Sequence, residues 1–75
     1  MESINRLVML GKKQLEDGYY NEALNSFEQA ILLNQKDPDL WNLKGIALRS
    51  LGRYNEAIEC FNKSLEIDPR DKNAS

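Results

Sequence analysis

The chain has 75 residues, of which 41% are apolar and 29% charged, and this balance predicts one small globular domain. Twelve acidic residues against ten basic ones give a net charge of −2, which argues against nucleic acid or an anionic membrane as the main partner. No apolar run approaches the roughly 18 residues of a membrane-spanning helix, so we expect no contact with the membrane interior.

The inventory of reactive side chains argues against catalysis and against a cofactor. Histidine is absent, and a single cysteine, Cys60, excludes an internal disulfide and a cysteine-based zinc site. We therefore expect no enzyme, no metal and no cofactor, and we expect Cys60 to be packed rather than reactive. The one thiol fits a reducing, cytoplasmic compartment. The carboxylates are scattered at helical surface spacing, and Glu59 with Lys63 has the i, i+4 spacing of an ion pair.

Four helices are predicted in chain order, and no segment has a strand pattern. The first two span about 4–17 and 20–34, and Ser3 is predicted to be the N-cap of the first. Asp37-Pro38 has the form of a helix start, and apolar residues then recur at helical spacing over 38–51. The fourth helix, over 54–67, follows Gly52 and ends before Asp68-Pro69.

The sequence repeats itself with a period of 34 residues, which is typical of stacked helical repeats. The segment Tyr20-Asn21-Glu22-Ala23 aligns with Tyr54-Asn55-Glu56-Ala57 without a difference. Two glycine pairs and a phenylalanine pair also align: Gly11 with Gly45, Gly18 with Gly52, and Phe27 with Phe61. The repeats cover 4–37 and 38–71 and leave a polar tail at 72–75.

The pattern resembles the tetratricopeptide repeat, a helix-turn-helix unit of 34 residues. In the second repeat the resemblance is carried by Trp41, Gly45, Leu48, Gly52, Tyr54, Ala57, Phe61 and Pro69. In the first repeat it is carried by Leu7, Leu10, Gly11, Gly18, Tyr20, Ala23, Phe27 and Ala30. Lys44 stands where this repeat usually has leucine, and Gln35 stands where it usually has proline. The resemblance implies an all-α fold in which tandem helical hairpins stack into a right-handed superhelix.

Side-chain size and backbone conformation explain why these residue types recur at the repeated positions. Gly11, Gly45, Ala23 and Ala57 are small enough to let paired helices approach closely. We expect the large residues at repeated positions to fill the space between helices: Tyr20, Tyr54, Phe27 and Phe61. Gly18 and Gly52 are expected to reverse the chain with a positive φ.

The two ends of the stack differ in polarity. In the second repeat, the side that faces the first repeat is expected to include Leu40, Ala47, Leu48 and Leu51. Their equivalents in the first repeat are all polar: Arg6, Lys13, Gln14 and Asp17. The first helix is therefore predicted to be a polar N-terminal cap of the stack.

The last helix shows no such change and keeps an apolar face made by Ile58, Phe61, Leu65 and Ile67. We hypothesise that this face mediates self-association, most simply as a homodimer about a twofold axis. A domain swap, in which 34–37 straighten, is a variant that Pro38 opposes. A fragment of a longer array and a monomer that tolerates the exposure are the alternatives.

The resemblance also implies a function, which is binding of a peptide or partner subunit in a concave groove lined by the first helix of each pair. By matching positions, the groove residues are Asn5, Val8, Lys12, Leu15, Asp39, Asn42, Ile46 and Arg49. Asparagine side chains can bind peptide backbone, and Lys12 with Arg49 can attract an acidic segment.

Two narrower functions are disfavoured. Repeats that capture acidic chaperone tails need Lys and Asn in the first repeat and Asn in the second, where this chain has Val8, Lys12 and Leu43. Nucleic-acid binding would depend on Arg6, Lys12, Lys13, Arg49 and Arg53, and the acidic balance argues against it. A purely structural role in self-assembly remains an alternative to groove binding.

Overall fold

The computed structural model describes residues 2–69, apart from the side chain of Glu2. These residues form four α-helices and contain no β-strand, which confirms the all-α prediction. The helices are α1 (Glu2–Glu16), α2 (Tyr20–Leu33), α3 (Pro38–Ser50) and α4 (Tyr54–Ile67). The predicted polar tail at 72–75 and the last two residues of the second repeat lie outside the described residues.

Local sequence signals set the helix starts and turns at three of the four predicted places. Asp37 is the N-cap of α3, where its side chain accepts a hydrogen bond from the Asp39 N–H at 2.9 Å, and Pro38 follows it. Gly18 and Gly52 have φ values of 86° and 82°, as predicted for the hairpin turns. The prediction for Ser3 is wrong, because α1 already begins at Glu2 and Ser3 lies inside its first turn.

The helices pack as two hairpins, α1 with α2 and α3 with α4, and α2 also packs against α3. The larger apolar cluster takes residues from three helices: Ala23, Leu24, Phe27, Ala47, Leu48, Ala57 and Cys60. The smaller cluster consists of Ala30, Ile31 and Leu40. The core therefore lies along the contact between α2 and α3, which joins the two hairpins.

Each hairpin depends on a glycine that faces an aromatic ring. A Cβ atom on Gly45 would lie 2.6 Å from Cε1 of Phe61, and a Cβ atom on Gly11 would overlap the ring of Phe27 in the same way. Ala23 and Ala57 are buried beside these contacts. The predicted close approach of the paired helices is thus confirmed, since any side chain in place of the glycine would displace the ring.

Two of the four aromatic residues expected in the core lie outside it. Tyr20 is 36% exposed and Tyr54 is 62% exposed, so the prediction that they fill the space between helices is wrong. Each is the first residue of its helix, directly after the turn. The rings of Phe27 and Phe61 fill the interhelical space without them.

The two first helices differ in burial as their sequences predict. Leu40, Ala47 and Leu48 of α3 are buried against α2, whereas Arg6 and Lys13, the equivalents of the first two, are exposed on α1. Asp17, which corresponds to half-buried Leu51, is also exposed. Gln14, the equivalent of Leu48, is the exception, because it is half-buried and accepts a hydrogen bond from the Ser26 hydroxyl of α2. The face of α1 that corresponds to the docking face of α3 is therefore polar, and three of its four predicted residues are exposed to solvent.

Three buried hydroxyl or thiol groups distinguish the two hairpins. In the first, the Ser26 hydroxyl lies 2.7 Å from Gln14 Oε1 and 3.1 Å from the Glu22 carbonyl oxygen. The equivalent pair in the second hairpin is Leu48 and Cys60. Ser64 is also buried, but its Oγ has no hydrogen-bond partner among the described residues. A buried hydroxyl without a partner costs stability, whereas a paired one contributes to it.

We expect Ser64→Ala to raise the free energy of unfolding by about 1 kcal/mol, because it removes an unsatisfied polar atom. Ser26→Ala should lower it by about 1 kcal/mol, since it leaves the half-buried Gln14 amide without its partner. The chemical change and the gain in helix propensity are the same at both positions, so each variant controls for the other. Urea unfolding followed by circular dichroism measures both. Equal effects of the two variants would contradict this account.

Cys60 is buried in the core cluster, as predicted, and its environment disfavours the reactive form. Burial raises the pKa of the Cys60 thiol above its ordinary value, and the Lys44 ammonium opposes this only in part. The thiol is therefore protonated at neutral pH, and it lies among Leu48, Ala57 and their neighbours rather than at an electropositive surface.

We expect Cys60 to react with a thiol reagent at least about tenfold more slowly in the native chain than in urea. The pH at which the native thiol becomes reactive should lie above that of the unfolded thiol, because its pKa is raised. The Cys60 thiol therefore contributes to the stability of the fold at pH values below the pKa of the unfolded thiol. This contribution is lost as the pH rises through the pKa of the folded thiol. A native rate equal to the unfolded rate at every pH would show that Cys60 is not buried.

Candidate functional site

The eight residues expected to bind a partner form one stripe on α1 and one on α3. In each helix they recur at i, i+3, i+7 and i+10, which places them along one side of the helix. Four of them are exposed: Asn5, Lys12, Asp39 and Arg49. The other four are half-buried: Val8, Leu15, Asn42 and Ile46. We call these eight residues the α1/α3 surface.

The positions of the neighbouring helices explain why this side is available. Trp41, Lys44 and Leu48 lie on the side of α3 that borders α2 and α4, whereas its stripe residues line no depression there. In α1, Val8 packs against the cluster to which α3 contributes Leu40, and Leu15 packs against the cluster that contains Ala47. The apolar residues of the α1 stripe thus pack against clusters to which α3 also contributes.

Within residues 2–69, the exposed cations of this surface have no acidic partner among the side chains that the structure describes. Among the described residues, no carboxylate lies within 4.0 Å of Lys12 or Arg49. Nearby Lys13 differs, because its ammonium lies 3.4 Å from the Asp17 carboxylate. Lys12 and Arg49 can therefore take an anionic group without breaking an existing ion pair.

A concave region that the sequence did not predict lies between α2 and α4, and none of the eight predicted groove residues lines it. It is a depression of about 460 Å³ with Trp41, Leu48 and Cys60 among its lining residues. The Lys44 ammonium is 3.6 Å from the Glu28 carboxylate and 5.5 Å from the centre of the Trp41 ring. The signal in the sequence was Lys44 itself, which stands where these repeats usually have leucine.

In the same region, the predicted ion pair between Glu59 and Lys63 is wrong. The Lys63 ammonium lies 6.0 Å from the centre of the Trp41 ring, and no ion pair with Glu59 forms. A neighbouring aromatic ring thus replaces the i, i+4 partner. At the rim of the depression, Arg53 Nε lies 2.6 Å from Glu56 Oε2. The hydrogen bond to this carboxylate raises the pKa of Arg53. Three glutamates face three cations here, so the depression has no net charge.

The apolar face predicted on α4 is only partly exposed. Ile58 is 54% exposed, whereas Phe61, Leu65 and Ile67 are half-buried. The ring of Phe61 faces Gly45 of α3 and is used within the hairpin, so its assignment to an outer face needs correction. Leu24, the equivalent of Ile58, is only 6% exposed, because α3 covers α2.

Neither a metal site nor a membrane span is found in the part of the chain that the structure describes. No three His, Cys, Asp or Glu residues within 2–69 are placed to hold a metal ion. None of the four helices is long and apolar enough to cross a bilayer.

Both repeats match a known family. The tetratricopeptide repeat family matches residues 4–37 and again residues 38–71. The chain is also 41% identical over 70 residues to the uncharacterized protein MJ0572 of Methanocaldococcus jannaschii. The aligned segment covers 89% of this chain and 81% of that protein.

Longer proteins contain similar segments. The chain is 43% identical over 67 residues to an Hsp70-Hsp90 organising protein of Plasmodium falciparum, covering 88% of this chain and 26% of that protein. It is 34% identical over 55 residues to a small glutamine-rich tetratricopeptide repeat-containing protein 2 of Mycosarcoma maydis. This alignment covers 73% of this chain and 16% of that protein. The chain thus spans about a quarter or less of these two relatives. Four helices in two hairpins, a period of 34 residues and two consecutive family matches show that the chain belongs to the tetratricopeptide repeat family.

Proposed function

We propose that this protein-interaction module binds an extended peptide segment of a partner protein across the α1/α3 surface. The proposal is supported by the pair of equivalent stripes on α1 and α3, none of whose residues lines the depression between α2 and α4. Each stripe combines exposed polar groups with half-buried apolar ones. This is the composition of a polar peptide-binding surface with a small apolar centre.

The chemistry of the surface suits a peptide backbone and its side chains. The amide groups of Asn5 and Asn42 can each donate and accept hydrogen bonds, as a peptide unit requires. Val8, Leu15 and Ile46 supply apolar contact without further burial in the core. The proposal includes no catalytic site and no cofactor, and the cytoplasmic location suggested by the single thiol remains a prediction.

Capture of an acidic chaperone tail by a carboxylate clamp is not part of this proposal. The similarity to an Hsp70-Hsp90 organising protein does not supply the clamp residues, since Val8 and Lys12 stand where Lys and Asn are needed. Leu43 stands at the third clamp position and packs against the larger apolar cluster. An apolar side chain there cannot bind a carboxylate.

A peptide-display selection against the intact chain tests the proposal, and we expect it to recover binding peptides. Asn42→Ala combined with Arg49→Ala should weaken their affinity about thirtyfold, because each truncation removes a polar contact of about 1 kcal/mol. Asn62→Ala combined with Lys63→Ala is the matched control, since it removes the same kinds of side chain from α4. Recovery of no peptide, or equal losses in both double variants, would contradict binding at the α1/α3 surface.

Self-association through α4 is a second candidate function, and the exposure of Ile58 favours it. The same position on α2 is covered by α3, so the fold uses this face for packing wherever a helix is available. A second copy placed about a twofold axis would cover Ile58 and the half-buried Leu65 on both chains. Because a single helix face is small compared with a standard interface of about 800 Å² per partner, the dimer is expected to be weak.

Sedimentation equilibrium should detect the dimer at concentrations of tens to about 100 µM, and Ile58→Asp should return the chain to a monomer. Met9→Asp is the control, because Met9 is an equally apolar and even more exposed residue at the other end of the stack. A wild-type chain that is monomeric over this range would contradict self-association. Dissociation by both variants would place the contact elsewhere than α4.

A further inference from the structure

We infer that the depression between α2 and α4 is a second interaction site, which takes a helical segment of a partner protein. The segment carries an apolar anchor, an acidic residue beside the anchor, and a basic residue about one helical turn further on. This site is separate from the α1/α3 surface, because the two share no lining residue, so the inference does not depend on the proposed function.

An apolar recess adjoins the depression and can hold the anchor. It has a volume of about 420 Å³, and Ile31, Leu32 and Trp41 are its apolar lining residues. The indole N–H of Trp41 donates a hydrogen bond to the Gln35 carbonyl oxygen at 2.9 Å, so an occupant meets the carbon atoms of the ring rather than a free donor. Leu32 is 76% exposed, and a leucine or aromatic side chain of a partner would remove its apolar surface from water.

The end of the depression beside this recess has a positive balance of charge. Glu28 and Lys44 line both the depression and the recess, and their charged groups lie 3.6 Å apart. The Lys63 ammonium lies 6.0 Å from the centre of the Trp41 ring, and within residues 2–69 no carboxylate lies within 4.0 Å of it. Two cations and one carboxylate are therefore present here, so an acidic residue beside the anchor is attracted to this end.

The opposite end of the depression has a negative balance. Arg53, Glu56 and Glu59 line the depression but not the recess. Arg53 pairs with Glu56, and no cation of the described residues lies within 4.0 Å of Glu59. Glu59 and Lys63 are four residues apart on α4, which is about 6 Å at a rise of 1.5 Å per residue. An acidic and a basic residue four positions apart on a partner helix have the same spacing, so the base can face Glu59 while the acid faces Lys63.

The hairpin fold does not require these charges. In the first hairpin the equivalents of Lys44, Glu59 and Lys63 are all uncharged: Leu10, Asn25 and Gln29. The first hairpin nevertheless forms the same contact between glycine and phenylalanine. Charged groups that packing does not need, placed in one concave region beside an exposed leucine, favour a partner site over a structural role.

Titration with three designed peptides, followed by the emission of Trp41, tests the inference. Trp41 is the only tryptophan of the chain and lines the depression, so its emission reports on this site rather than on the α1/α3 surface. The peptides have about 16 residues in an alanine-rich helix and contain no tryptophan. The first has two leucines with glutamates beside them and lysines one turn away, the second has the glutamates and lysines exchanged, and the third is the first with serine for leucine. We expect the first to bind about fivefold to tenfold more tightly than the second, and the third to leave the emission unchanged.

Two double variants of unchanged composition locate the effect. Glu59→Lys with Lys63→Glu exchanges the two unpaired charges and should make the second peptide the tighter one. Lys13→Asp with Asp17→Lys exchanges the ion pair of α1, which has the same i, i+4 spacing, and should leave the preference for the first peptide unchanged.

Three results would overturn the inference. The first is an emission that does not change with the first peptide up to about 1 mM. The second is the same preference in both double variants, because the charges of α4 would then not determine it. The third is an emission that changes with the concentration of the protein alone, since the occupant would then be a second copy. None of these results bears on the α1/α3 surface, which the display selection tests separately.

Discussion

The contact between a phenylalanine ring and a glycine on the preceding helix is the constraint on which the rest of the structure depends. Phe61 occupies the space that a side chain at Gly45 would need, and Phe27 does the same at Gly11. Because the ring packs directly on helix backbone, the two helices of each hairpin lie close together and keep a fixed orientation. Only then can α3 place Leu40 and its buried neighbours on α2, which joins the hairpins into one core.

Local signals made most of the fold predictable from the sequence. The glycine turns, the Asp37-Pro38 start and the helical spacing of apolar residues each act within a few residues, so their structural outcome depends little on distant parts of the chain. Predictions that depended on contacts between different helices were less accurate. Tyr54, at the start of α4, is exposed rather than packed between helices, and Lys63 lies near the ring of Trp41 rather than pairing with Glu59.

The same distinction applies to the candidate site. Helical spacing identified the two stripes, because one helix at a time determines which residues share a side. It could not indicate that Val8 and Leu15 are half-buried, since this burial depends on packing against clusters shared with α3. The depression around Trp41 escaped prediction for a related reason. Its lining comes from three helices, and no single periodic pattern contains it.

The two repeats also serve as an internal comparison of packing with surface chemistry. At the positions that fix the hairpins the repeats are identical, with glycine, alanine and phenylalanine in both. At all four stripe positions they differ: Asn5 with Asp39, Val8 with Asn42, Lys12 with Ile46, and Leu15 with Arg49. Packing requires the same small and large groups at each hairpin contact, whereas the stripes place no shared packing demand on the two helices. The proposed partner would therefore meet two different sets of side chains in sequence, so the surface has a direction along which a bound peptide can be aligned.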